Sequence, residues 1–142
     1  ASYKADLRGA ITSTIDPVEV KEIINNFENA DVIKPQDLRG WYRGLLANYH
    51  GQQAAWDWIR DDWDWLDKTV GGDMEFATFI TVTTGVFHTP ARLKEFKEFF
   101  EPKVNVPLLS REIKMDVKVI ESKVDLIEAE KDAVNAAVAK AL

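Results

Sequence analysis

The sequence predicts an all-α fold: a right-handed α-solenoid of stacked antiparallel helical hairpins, about eight helices filling residues 1–142 as one domain. Three observations carry this expectation. Apolar residues recur three and four apart along nearly the whole chain. Caps and prolines punctuate that pattern at helix-like intervals, and one half of the chain repeats features of the other.

Helix-like sequence begins almost at the first residue and predicts a helix near 3–14, as in a fragment of something longer. The next, near 17–29, opens on Asp16-Pro17-Val18-Glu19: an Asp cap, Pro at the first helical position and a Glu that completes a capping box. Pro35 opens a helix near 35–48, whose Gly40 and Gly44 suit a close approach by another helix. Gly51 ends that hairpin, and a helix near 52–70 follows, up to the pair Gly71-Gly72. FITVTT (79–84) is the only β-branched cluster. It lies within the spacing Met74, Ala77, Ile80, Val82 and Phe87, which predicts a helix near 73–87. Thr89-Pro90 repeats the cap and proline and starts a helix near 90–101, and Pro107 starts one near 108–127. A last helix falls near 129–141. The stretch between carries no Gly or Pro, so one long helix is the alternative. The seam Ile113, Val117, Ile120, Val124, Ile127 meets Lys131 at its next position, which favours a break near EAEKD.

DPVEVKEIINNFE (16–28) aligns with TPARLKEFKEFFE (89–101) at an offset of 73, with Pro, Lys-Glu and Phe-Glu coinciding. Val20 pairs with Leu93 and Ile23 with Phe96, while Pro35 and Arg39 pair with Pro107 and Arg111 at an offset of 72. Half that spacing, about 36 residues, is close to the length of one helical hairpin in tandem α-repeats of the HEAT or TPR kind.

Composition narrows the function classes. With 46% hydrophobic and 30% charged residues the chain is that of a globular protein. The net charge of −6 comes without a basic stripe, which argues against nucleic acid. No apolar run approaches the roughly 20 residues that cross a bilayer, and the N-terminus lacks a signal peptide's apolar core, so no membrane is expected and a cytoplasmic location is the default. There is no cysteine, hence no thiol catalysis and no thiolate zinc site.

WDWIRDDWDW (56–65) concentrates aromatic and acidic side chains. At about 100° per residue, Trp56, Ile59, Trp63, Leu66 and Val70 form one stripe. Trp58 and Trp65 form a second, and Asp57, Asp61 and Asp64 share another side with Lys68. Two apolar ridges describe a helix packed between two neighbours, so Trp56, Ile59, Trp63 and Leu66 are expected in the core, with Phe87 and Phe100. The aspartates suit a solvated face, since a calcium loop is irregular and glycine-bearing. His50 and His88 belong to no zinc-binding spacing. No GxSxG, phosphate loop or Rossmann fingerprint occurs, so no catalytic residue and no metal ligand is assigned.

IKPQDLRGWYRGLLANYHGQQAAWDWIRDDWDWL resembles the C-terminal helical domain of the aminopeptidase N family of zinc metallopeptidases. That family's pattern is I-R-x-Q-D, then N-x-x-G, then A-W, then N-W. Here it reads Ile33-Lys34-Pro35-Gln36-Asp37, Asn48-Tyr49-His50-Gly51, Ala55-Trp56 and Asp62-Trp63. Phe87, Thr89, Leu93, Phe99 and Phe100 continue the likeness, and the wording of the chain is most similar to lactic-acid-bacterial members. Lys34 stands where Arg is usual and Asp62 where Asn is usual, which puts any bidentate contact at residue 34 in doubt.

The resemblance implies a parent enzyme that removes N-terminal residues from peptides with zinc held in an upstream catalytic domain of the same polypeptide. This part would hold no cofactor, cap that domain and wall the peptide channel. Lys34, Gln36, Asp37 and Arg43 are its candidates for meeting the peptide or the neighbouring domain, against salt bridging within the chain. The alternative is a free-standing helical-repeat scaffold for protein–protein interaction.

Overall fold

The computed structural model describes residues 2–71 and 75–141. These are all-helical, with α1 Ser2–Thr12, α2 Pro17–Asn25, α3 Pro35–Ala47, α4 Gln52–Asp61, α5 Trp63–Val70, α6 Glu75–Val86, α7 Pro90–Phe100, a 3-10 turn Glu101–Asn105, and α8 Pro107–Ala141. The chain divides into two compact units, Ala1–Thr83 and Thr84–Leu142. Gly72 and Met74, named above as a turn and an apolar position, lie outside the described residues.

Helix starts follow their caps, although Glu19 closes no capping box: its carboxylate accepts from the Thr14 hydroxyl, and the Asp16 N–H donates to Thr14 Oγ1. Asp16 Oδ1 accepts from the Val18 N–H at 2.9 Å, Thr89 Oγ1 accepts from the Arg92 N–H at 3.2 Å, and a proline follows each cap. The two aligned segments therefore begin alike. Ile23 and Phe27 in the first, and Phe96 and Phe100 in the second, are buried at corresponding positions.

Three expectations are corrected. The single helix over 52–70 is two, because Asp62 leaves helical geometry at φ −108°, ψ 23°. Aspartate competes with its own backbone inside helices, so it is a natural place for such a break. Second, no break occurs near EAEKD: α8 is continuous for 35 residues. Lys131 is exposed there and gives the helix no reason to turn. Third, the buried seam of α8 runs Leu109, Ile113, Asp116, Ile120 and Val124. Asp116 takes the core position expected of Val117, which is half-buried, and Ile127 is open.

The core of the first unit gathers Trp56, Tyr42, Phe27, Phe79, Leu38 and Leu66, each fully buried. Trp58 meets Phe27 edge-on at 4.9 Å and Tyr42 at 6.1 Å, while Trp63 lies 4.8 Å from Phe76. The Thr83 hydroxyl donates to the Phe79 carbonyl at 2.9 Å, so its 2.6 Å contact with Tyr42 Oη takes the phenol's proton. Trp58 also lies 6.3 Å from Trp65, so this second aromatic ridge packs within the unit. Gly44 faces Thr12 so closely that a Cβ would stand 2.8 Å from the threonine's Cβ, which fixes the approach of α1 to α3. In the second unit Phe87, Phe96, Phe100, Leu109, Ile113 and Ile120 are buried, with Phe96 and Phe100 stacked at 4.7 Å.

Candidate functional site

Pro35 sets the first turn of α3, and Lys34 precedes it as an N-cap whose side chain makes no cap bond. Lys34, Gln36 and Asp37 are all exposed around this turn, and Arg43 is exposed two turns along. At about 100° per residue Gln36 and Arg43 share one open face, with Arg39 beside them donating to Thr78 Oγ1 at 3.3 Å. Asp37 lies farther round the helix. The structure thus brings Gln36 and Arg43 together and sets Asp37 apart from them.

Other motif positions are structural. Asn48 ends α3, and its amide donates to the carbonyls of Thr12 at 2.9 Å and Thr14 at 2.7 Å, tying down the exit from α1. Its Oδ1 accepts from the His50 N–H at 3.0 Å. Gly51 then runs so close to Leu45 that a Cβ would lie 2.9 Å from the leucine's carbonyl oxygen. Asn-x-x-Gly is therefore a hinge between α3 and α4, with glycine required for clearance. Ala55 and Trp56 are fully buried just beyond it, as are Ile59 and Leu66, with Trp63 also in the core.

Two carboxylate pairs and a groove went unread in the sequence. Glu28 is pushed up to about 7, first by loss of solvent around it and then by the hydrogen bond and charge of Asp62, with Trp58 pulling the other way. Asp116 is 4% exposed, and its Oδ2 has no hydrogen-bond partner. Burial first, then Glu112 one turn back, raise it to about 7 against the pull of Thr84 and Lys123. Burial lowers Lys123, which donates to the Thr84 carbonyl oxygen. The i,i+4 spacing of Glu112 and Asp116 is visible in sequence, but not the burial that makes it matter.

The groove, of about 560 Å³, lies in the first unit and draws on α1, α2, Val32-Ile33 and Trp41 of α3. Neither carboxylate pair lines it. Among the described residues no three His, Asp or Glu side chains converge as a metal site, and no helix is long and apolar enough to cross a membrane. His50 and His88 are both exposed.

The ERAP1-like C-terminal domain family matches residues 1–122. Aminopeptidase N of Lactobacillus helveticus is 82% identical over 141 residues, covering 99% of this chain and 17% of that protein. Aminopeptidase N of Lactobacillus delbrueckii subsp. lactis is 59% identical over the same share of each. Aminopeptidase M1 of Arabidopsis thaliana is 25% identical over 126 residues, covering 89% of this chain and 14% of its own length. The chain thus spans about 17% of the length of the first curated relatives it matches.

Proposed function

The chain belongs to the ERAP1-like C-terminal domain family, and we propose that it serves as the C-terminal domain of a zinc-dependent aminopeptidase that removes N-terminal residues from peptides. The observation that carries this reading is the 82% identity to an aminopeptidase N across almost the whole chain, over only 17% of that protein. On this reading the zinc and the catalytic groups belong to an upstream domain of the same polypeptide, and these helices cap that domain and wall its peptide channel. The HEAT-like stacking of hairpins and a cytoplasmic location are parts of the same proposal. The matched helix starts at Pro17 and Pro90 support the repeat.

Lys34, Gln36, Asp37 and Arg43 are assigned to the channel or to the interdomain face. Their exposure around the start and middle of α3 supports this. Reading the gene upstream of Ala1 is the first test: an HExxH with a downstream Glu is expected. A start codon immediately before Ala1 overturns the proposal in favour of a free-standing scaffold. The purified chain given zinc and an aminoacyl-anilide is expected to show no turnover, and robust hydrolysis overturns the upstream location of the chemistry. In the longer polypeptide, Arg43→Glu should raise KM for oligopeptides roughly 2- to 5-fold, the size of one exposed ionic contact. An aminoacyl-anilide, too short to reach the wall, should be unaffected. Equal effects on both substrates remove Arg43 from the channel.

A further inference from the structure

The groove of the first unit carries an inference beyond the aminopeptidase reading. Ile23 and Ile33 are buried in its lining and Trp41 is half-buried, while Ile11 and Val32 remain 40% and 61% exposed. Apolar side chains of that size left open along one depression mark a place where another apolar group is received. One wall is α2. At about 100° per residue Glu19, Glu22, Ile23 and Asn26 fall on the face turned to the groove, with Lys21 on the opposite face. Ser13 and Thr14 add hydroxyls from the end of α1. The Thr14 hydroxyl bonds the Glu19 carboxylate and fixes it at the rim. Among the described side chains no lysine, arginine or histidine lines the groove. An apolar trough edged by two carboxylates favours a ligand that is apolar and positively charged at once.

We propose that this groove binds a short free peptide segment in which an apolar side chain adjoins a lysine or arginine. The apolar chain lies against Ile11, Val32 and Trp41, and the cation reaches Glu19 and Glu22. The groove offers about 560 Å³. A folded partner would need a patch of roughly 800 Å² from this surface, so the groove's size favours a short peptide.

The test uses the full 142-residue chain, labelled for NMR, and two N-acetylated, C-amidated tetrapeptides that differ only as Leu-Lys and Leu-Glu. The Leu-Lys peptide is expected to shift the Trp41 indole and the Ile11, Ile23 and Ile33 methyl signals, with affinity that falls as salt rises. The Leu-Glu peptide should bind at least about 5-fold more weakly, as should the Leu-Lys peptide to Glu22→Gln. Val32→Asp, at an open position, should abolish binding with the circular dichroism spectrum unchanged. Silence at the groove signals with both peptides overturns the proposal, as does equal binding of the two. Binding seen only when the segment is carried by a folded protein also overturns it. The gene-level test of the aminopeptidase reading is separate, so either conclusion can fail without the other.

Discussion

Helices α4 and α8 differ in length by 10 residues against 35, and the shorter is the better held. Four residues of α4, Ala55, Trp56, Trp58 and Ile59, are buried. In α8 the buried positions stop at Val124, and every residue from 125 to 141 is exposed. Yet the apolar spacing of α8 does not stop there: Ile127, Val134 and Val138 continue it at 42%, 60% and 54% exposure. Periodicity says which face of a helix would pack, and only the fold says whether anything meets that face. The far half of α8 stays helical on its composition, rich in Ala, Glu and Lys and without Gly or Pro.

The largest effect expected from that contrast comes at Trp56. Its indole is fully buried, with the Arg60 guanidinium 4.6 Å above the ring and Arg60 held in turn by Asp57 at 2.6 Å. Trp56→Ala should cost about 3–5 kcal/mol, mostly through the cavity left behind. Val138→Ala in α8 should change stability by less than about 0.5 kcal/mol. Urea unfolding followed at 222 nm measures both. Similar losses at the two sites would erase the distinction between a held helix and an open one.

Much of the held part was legible because its signals are local. Asp16-Pro17 and Thr89-Pro90 state their caps in consecutive residues, and the tryptophan stripe follows from spacing alone. The break at Asp62 was not legible, since neither Gly nor Pro marks it and the apolar stripe runs through Trp63 as though the helix continued. The seam of α8 was off at one position for a related reason: Val117 has the polarity of a core residue, and Asp116 beside it, which does not, takes the buried place. The groove is legible only in three dimensions, because Ile11, Glu22, Val32 and Trp41 meet through packing among α1, α2 and α3. Of the four candidates at α3, sequence placed Lys34, Gln36 and Asp37 at a helix start, and the helical spacing that sets Asp37 apart from Gln36 and Arg43 is legible there too.

Asp116 gives the next effect, in the packed half of α8. Its carboxyl is raised from 3.8 to about 7, so between those values the folded chain keeps a proton that the unfolded chain releases. Its contribution to stability is therefore complete at acid pH and falls as pH rises through that window, by at most about 1.4 kcal/mol per pH unit. Glu28 acts in the same direction, but it is only partly shielded from solvent and adds less. Asp116→Asn should flatten most of this slope between pH 4.5 and 7 and leave the protein more stable than the parent at pH 7.5. Urea midpoints at three pH values test it. An unchanged slope would mean that the carboxyl ionises freely in the folded state.

The smallest effect belongs to the open half of α8. Ending the chain after Lys131 removes only exposed side chains from the described residues and leaves a base in the last turn, where it complements the helix carbonyls. The loss of ellipticity should match the residues removed, while the unfolding free energy stays within about 0.5 kcal/mol of the parent. The reason is that no buried apolar area is surrendered, and an unpacked helix end already unfolds locally without the rest. A loss of 2 kcal/mol or more, which is about what full burial of one or two aliphatic side chains is worth, would show that Val134 and Val138 are covered in solution. Repeating the measurement across protein concentrations then identifies the cover: a stability that rises with concentration means a second copy of the chain, and one that does not means the helix folds back on its own unit.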